Sequence, residues 1–482
     1  MRFKSNGFDV AIVGNGSTGL ALAFDLKRRD PNIRVALIGP KSRTGSASST
    51  AGAMLNCWGE LILGTFENVE FEKRFRLTET AMSMWPEYVE NLAEETGIDV
   101  KINWGTVVFT SPTGPANEAE NFNYLISSLE KNNQEFEHLN VSDLGFMSPD
   151  LDRSPTKAIL INDGRVDSLK LLDALDTFVD KNGIQNHDQK VVSISKFGKG
   201  WNLFLSDSTV LNSEKIVLAN GAYARDLLDN CEELKNLVLP LFYGAGSAFE
   251  VKLPTWKQNK SDLVNLNYVV RTMDRGGACG LHLVPLGEER FYFGASSGVW
   301  EEPEQDHRMH AISWLSNAIE RDFHHAFFHA DSKLRGPGFR PVSLDGFPLI
   351  GQIESSGVYM INGTKRDGLT CSPFLAKIIS DEITKGEVEE SLRTFNPVRK
   401  PISYFGRDKA IKSAANAQYG GEIMHGLKVT PYMHESYFNS KILGVSAIYE
   451  NRNLLDFGIH PELLHFYEYD SSYNKYIKKY FE

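Results

Sequence analysis

The sequence predicts an α/β protein of two or three domains whose chain opens on a strand–loop–helix–strand unit. Three observations carry this. Phe8 to Val13 (FDVAIV) is a short apolar, β-branched run, and a glycine-rich loop, Gly14-Asn15-Gly16-Ser17-Thr18-Gly19, follows it at once. The chain is also long, at 482 residues with 41% hydrophobic residues, which exceeds one simple core when a domain takes roughly 150 residues. After the loop, LALAFDLKRR is apolar at helical spacing, Asp30-Pro31-Asn32 breaks it, and Arg34 to Ile38 (RVALI) reads as a second strand.

A G-x-G-x-x-G between a strand and a helix is the Rossmann-type signature of dinucleotide binding. Gly14 permits the tight turn, Gly16 lets the backbone approach a pyrophosphate, and Gly19 lets the helix pack close to the strand. The helix N-terminus, at Ser17 and Thr18, offers amides and a partial positive charge to the anion. One element departs from the pattern. Gly39 stands where an Asp or Glu would bind the ribose, so ribose recognition falls to backbone groups, Ser42 or Arg43. Lys41 and Arg43 would also suit a 2′-phosphate, which keeps NADP open.

With 51 basic and 62 acidic side chains the net charge is −11, which disfavours nucleic acid as a partner. The basic runs Lys27-Arg28-Arg29 and Lys478-Lys479 are short and read as solvated helix faces. Cys57, Cys231, Cys279 and Cys371 form no C-x-x-C pair, so neither a disulfide framework nor a zinc site is expected. No leader-like start and no apolar stretch of about 18 residues is present, so no membrane span and a cytoplasmic location are expected.

The next segment is dense in small residues, Gly45 to Met54 (GSASSTAGAM). Here the chain resembles the D-amino-acid oxidase, glycine oxidase and sarcosine oxidase superfamily of FAD-dependent oxidoreductases. In that family a Ser/Thr-Ala-Gly-Met-type segment passes the FAD pyrophosphate and reaches the isoalloxazine; Ser48, Ser49, Thr50, Ala51, Gly52 and Met54 match it. Asp163-Gly-Arg-Val-Asp-Ser168 is similar to the family's G-x-V-D-P segment. Val191-Val192, Trp201 to Leu205 and Lys215 to Ala222 (KIVLANGA) resemble its β-meander and the strand that ends near Gly221, with Val192 at the adenine. Gly338-Phe-Arg-Pro341, Asp345 to Gly351 (DGFPLIG) and Gly363 to Thr370 resemble the G-x-R-P-x-x-x-D-G-x-P-x-I-G motif and the flavin loop, which places Arg366, Asp367, Gly368, Leu369 and Thr370 at the cofactor.

The resemblance covers about residues 8 to 390. It implies a discontinuous FAD-binding domain (1–75, 145–232 and 330–392) and a substrate domain (76–144 and 233–329) on a mixed or antiparallel sheet. It also implies noncovalent FAD, since Cys371 is not at the position used for flavin attachment. The reaction implied is oxidation of a C–N bond: hydride leaves the α carbon of an amine or amino acid for flavin N5, and the imine is then hydrolysed. Arg340 matches the carboxylate-binding arginine, and Arg366 matches a residue that would stabilise the reduced flavin at N1. His282 falls where glycine oxidases place a tyrosine and could take a proton from the substrate ammonium. Tyr243 and Tyr292 are weaker candidates for the same cavity. Each has a plainer reading: a loop arginine for Arg340, helix-end solvation for Arg366, a core histidine for His282, sheet residues for the tyrosines.

Gly294-Ala-Ser-Ser-Gly298 satisfies the hydrolase G-x-S-x-G, but Val299-Trp-Glu-Glu-Pro303 is a poor start for the helix that should follow. Residues 398–482 form a Tyr- and His-rich C-terminal extension that could cap the substrate channel, dock a partner or mediate dimerisation. Its histidines (His425, His434, His460, His465) are scattered, so no metal site is expected. Two other functions share these motifs: an FAD-dependent 2-hydroxy-acid dehydrogenase, and a flavoprotein subunit of a multi-protein complex.

Overall fold

Short apolar runs ended by glycine or a polar turn, drawn from between residues 8 and 362, build a sheet that is parallel but for its edge strand Leu349–Gln352 and the meander described below. In the computed structural model, which describes residues 7–112, 114–258, 262–275, 280–304 and 306–482, its order is Leu349–Gln352, Val358–Asn362, Val210–Leu218, Phe8–Val13, Val35–Ile38 and Gln185–His187. Val13 faces Ile38 on one side and Leu218 on the other, in parallel register. Val191–Phe197 and Gly200–Leu205 fold as an antiparallel meander onto Val210–Leu218. Ala11, Ile12, Leu37 and Val217 are fully buried, as parallel strands covered on both faces must be. The helix Ser17–Arg29 packs against Ser168–Lys181 and Ser372–Lys385, and Val69–Thr96 lies against both of the latter.

The second sheet is mixed. Its order is Asp331–Leu334, Ala248–Lys252, Arg290–Gly294, His282–Gly287, Val269–Thr272, Asn103–Thr110, Lys157–Arg165 and Met54–Leu55, with Phe136–Leu139 also on Lys157–Arg165. Val269–Thr272 runs parallel to Asn103–Thr110, while its other neighbour is antiparallel. Strand alternation divides the two faces. Leu283, Phe291 and Phe293 pack with Leu315, Phe323 and Phe327 beneath the helix Met309–Ala318. Val284 and Tyr292, on the opposite face, form a small cluster with Ala248 that Met54 packs against. A third sheet joins Gly298–Trp300, Leu241–Ala245 and Arg340–Ser343.

Two elements fall otherwise than the division expected from the sequence. The division at 75/76 falls inside Val69–Thr96, a continuous helix that Asn68 caps and Gly97 ends in the left-handed region. Lys157–Arg165, expected within 145–232 of the first domain, is a strand of the second sheet, where Ile159 and Ile161 pair with Val108 and Thr106.

The C-terminal extension folds back on the rest of the chain. Arg399 donates to both Asp345 oxygens at 2.9 and 3.0 Å, and Phe466 stacks on Phe242 with centroids 4.2 Å apart. Tyr467 and Ile477 are buried, so the aromatic richness of this segment goes into packing. Among the described residues no helix is long and apolar enough to cross a membrane. Cys57, Cys231 and Cys371 are free and buried, and Cys279 lies outside the described residues.

Candidate active site

A cavity of about 620 Å³ runs from the C-terminal ends of Phe8–Val13 and Val35–Ile38 to the face of the second sheet that carries His282 and Tyr292. This is the crevice at the carboxyl ends of the strands where open α/β sheets bind ligands. Of the residues expected at the cofactor, all line the cavity except Gly19 and Ser49. Gly14, at φ +114°, has no room for a side chain against Ala219, and a Cβ on Gly19 would overlap the Gly14 carbonyl. Gly19 therefore acts by closing the helix onto the strand. Gly16 N-caps Ser17–Arg29 without a side-chain hydrogen bond, and the Ser17 amide donates to Ser48 Oγ at 3.1 Å. The result is a backbone-walled cradle at a helix N-terminus, opening on a floor of small residues, and it fits a pyrophosphate.

The ribose end explains the missing acid. Asn15 Nδ2 donates to the Gly39 and Pro40 carbonyls, both at 3.1 Å, and a Cβ on Gly39 would strike the Asn15 side chain. Asn15 thus occupies the space an acidic side chain would enter. Arg43 is also committed, to Asp176 at 2.6 Å and to the Asn15 carbonyl at 2.8 Å, and the Lys41 amide donates to Asp188. The Arg43 guanidinium is therefore not presented for a 2′-phosphate as the NADP reading requires. Gly39→Asp is therefore expected to weaken FAD retention several-fold, by displacing Asn15 and losing two hydrogen bonds worth about 1 kcal/mol each. Fluorescence titration of the apoprotein with FAD checks this.

At the other end of the cavity a charged network is assembled from four parts of the chain. Glu60 pairs with Arg271 at 2.8 Å and with Arg366 at 3.4 Å. Glu462, from the C-terminal extension, pairs with Arg366 at 2.7 Å and with Lys365 at 2.6 Å. The turn that presents Glu60 is held by Asp163, whose carboxylate accepts the amides of Cys57, Trp58 and Gly59 at 3.1, 3.2 and 2.7 Å. Burial raises the Asp163 carboxyl against those three amides, to about 6. Burial would also raise Glu60, but the charges of Arg271 and Arg366 outweigh it and hold Glu60 at about 2. Burial lowers Lys365, with Glu462 opposing, to about 8.

His282 lines the cavity and its ring stacks on Tyr292, centroids 5.6 Å apart and planes 12° apart. Burial, with the charge of Arg271, lowers it to about 4, so it is neutral at physiological pH. Its Nδ1 lies 3.1 Å from the Gly280 carbonyl, which places the proton there and leaves Nε2 as an acceptor. Tyr292 covers Gly52, where a Cβ would come within 2.9 Å of the ring.

Arg340 begins its strand at the cavity wall and donates through Nη2 to Ser297 Oγ at 2.9 Å. The cavity's other arginines are paired with carboxylates: Arg43 with Asp176, Arg335 with Glu250 at 3.7 Å, and Arg366 with Glu60 and Glu462. Among the described residues, Arg340 has no carboxylate partner.

Other candidates fall elsewhere. Tyr243 is not in the cavity lining; it is 1% exposed and packs edge-on against Tyr223 and Phe339. Cys371 is buried beside Thr78 and likewise does not line the cavity. Ser296, the central serine of the G-x-S-x-G, accepts the Ser247 amide, and Gly298–Trp300 continues as a strand with no nucleophile-elbow helix. Glu60, Arg271, Lys365 and Glu462 were not expected from the sequence. Arg271 carried a signal, as a lone charge in the apolar run YVVRTM. Glu462 carried none.

A family model described as FAD dependent oxidoreductase (DAO) matches residues 9–382. The chain is similar to the glycine oxidase of Geobacillus kaustophilus, 23% identical over 397 residues that cover 81% of this chain and 97% of that one. It is also similar to the bifunctional protein ThiO/ThiG of Synechocystis sp., 25% identical over 399 residues, and spans 54% of that longer protein. Among solved structures, the Geobacillus kaustophilus glycine oxidase aligns with a TM-score of 0.68 at 23% identity, covering 82% of this chain and 99% of that chain. The iminodiacetate oxidase of Chelativorans sp. BNC1 aligns with a TM-score of 0.66 at 19% identity, covering 80% and 98%. These structures share the pairing of a Rossmann-like parallel sheet with a curled mixed sheet. With the family model matching residues 9–382, most of the chain's length, the chain belongs to the DAO family of FAD dependent oxidoreductases.

Proposed function

We propose that the chain oxidises the C–N bond of a small amine or amino acid bearing a carboxylate, with FAD held noncovalently in the cavity. The observation that carries this reading is Arg340: a guanidinium at the cavity wall whose partner among the described residues is a serine hydroxyl, in a site where the other arginines are paired with carboxylates. A planar fork left without a carboxylate is suited to binding one bidentately. Bound there, FAD would supply the hydride acceptor. Arg340 orients the substrate by its carboxylate, and neutral His282 offers Nε2 to the substrate nitrogen. Tyr292 packs on Gly52 and keeps water from that face of the site. Arg366 brings positive charge to the flavin loop, shared with Glu60 and Glu462. Cys371, buried outside the cavity, is consistent with FAD that is not covalently attached.

The test is anaerobic reduction of the purified yellow protein by a panel of amino acids, N-methyl amino acids and 2-hydroxy acids, after acid precipitation has shown that the flavin is released. Bleaching by an amine but not by its hydroxy analogue is expected. Reduction by hydroxy acids alone would move the reading to alcohol oxidation.

A further inference from the structure

The C-terminal extension begins after the residues the family model matches, which end at 382, yet its Glu462, in the lining of an adjoining cavity, sets a carboxylate on Lys365 and Arg366 at the edge of the site. We propose that Glu462 fills the cationic pair Lys365–Arg366 in place of a second substrate carboxylate, and so closes this site to dicarboxylic amines. The inference rests on the reading of Arg340 as the anchor for the first carboxylate.

The geometry is that of a built anion site with its occupant in place. Glu462 Oε2 lies 2.6 Å from Lys365 Nζ and Oε1 lies 2.7 Å from Arg366 Nη2, with the Lys365 and Glu462 side chains each 6% exposed. The turn is fixed from below. The Glu462 amide donates to His460 Nδ1 at 3.2 Å, and the His460 ring packs on Tyr404, centroids 4.7 Å apart. One hydroxyl separates this pair from Arg340: Ser297 Oγ accepts from Arg340 at 2.9 Å and donates to Glu462 Oε1 at 3.5 Å. A substrate anchored at Arg340 with a second acid group a few bonds away would direct that group to the place the Glu462 carboxylate holds. There it would meet a fixed negative charge where it needs a positive one. A second cavity of about 310 Å³, lined by Glu462 with Lys409, Lys412 and Asn416, shares Glu60, Lys365 and Arg366 with the first. Removing the Glu462 carboxylate leaves the buried Lys365 amine and the half-buried Arg366, which keeps Glu60, with room beside them.

The experiment compares the FAD-loaded wild-type chain with E462A and E462Q. Acetate and malonate are titrated as non-oxidisable mono- and dicarboxylate probes by perturbation of the flavin spectrum, and iminodiacetate is tried against N-methylglycine as reductant. Wild type is expected to bind malonate no tighter than acetate. In E462A the malonate-to-acetate preference is expected to rise at least tenfold, with iminodiacetate gaining as a reductant in the same direction; E462Q, which keeps the volume, shifts the same way by less. A malonate preference already tenfold in wild type overturns the proposal, as does an unchanged ratio in either variant that folds and retains FAD. The binding ratio is read without turnover. If no amine reduces the flavin, the proposed reaction falls while this ratio still decides the role of Glu462.

Discussion

Arg340→Ala is expected to lower kcat/KM for a monocarboxylic amine by about three orders of magnitude, which corresponds to roughly 4 kcal/mol of transition-state binding. Two charge-assisted hydrogen bonds to a carboxylate account for a loss of that size, since each is worth about 1.5–3 kcal/mol. The cavity offers no ready substitute. Arg366 lies between Glu60 and Glu462, and Arg43 and Arg335 are paired with Asp176 and Glu250. Arg340→Lys keeps the charge but not the fork, so its activity should fall between the wild type and alanine. Amines without a carboxylate should lose little on either substitution. Steady-state kinetics with a paired set, an amino acid and its decarboxylated amine, checks this. An equal loss for both members would mean that Arg340 supports the loop and does not hold the substrate.

Glu60→Ala is expected to destabilise the protein by about 3–5 kcal/mol, because it strips the carboxylate from Arg271, which is 1% exposed, and from Arg366. Glu60→Gln should cost less, since its amide oxygen can still accept from Arg271. The pair also sets an acid limit. Glu60 is held at about 2 against an unfolded value of 4.5, so its stabilisation is complete above pH 4.5 and is lost as the pH falls from 4.5 through 2. A carboxylate buried at that value contributes on the order of 3 kcal/mol. Urea unfolding at pH 5.5 and pH 3 should therefore show a smaller acid-induced drop in the midpoint for Glu60→Gln than for wild type. An equal drop would place the acid sensitivity elsewhere.

The parts of the site legible in the sequence are those where spacing along the chain reports geometry directly. Gly14, Gly16 and Gly19 sit where the backbone must turn or pack without a side chain, so their spacing carries the cradle with it. The run Ser48 to Met54, the loop Arg366 to Thr370, and Arg340 beside Pro341 were found through their likeness to known motifs, and all but Ser49 reach the cavity. The charged network was hidden for the opposite reason. Glu60, Arg271, Arg366 and Glu462 come from a turn, a strand, a loop and the C-terminal extension, and only tertiary folding joins them. Apart from Arg366, which the flavin-loop motif offers, Arg271 alone could have been suspected, because a charge in an apolar strand demands a buried partner. Tyr243 failed as a cavity residue through orientation: its strand packs that side chain against Phe339, a choice that alternation along a single strand does not disclose. Gly39 was read as a gap in ribose recognition, whereas Asn15, two positions before Ser17 in the phosphate loop, fills the space.

The most direct test of the anchor at Arg340 is a crystal structure of the chain with FAD and a non-oxidisable carboxylate such as acetate. The carboxylate is expected in the cavity with both oxygens about 2.7–2.9 Å from the Arg340 guanidinium, displacing its contact with Ser297, and with the methyl group directed toward the flavin. Acetate bound elsewhere in the cavity, with Arg340 still on Ser297, would contradict it.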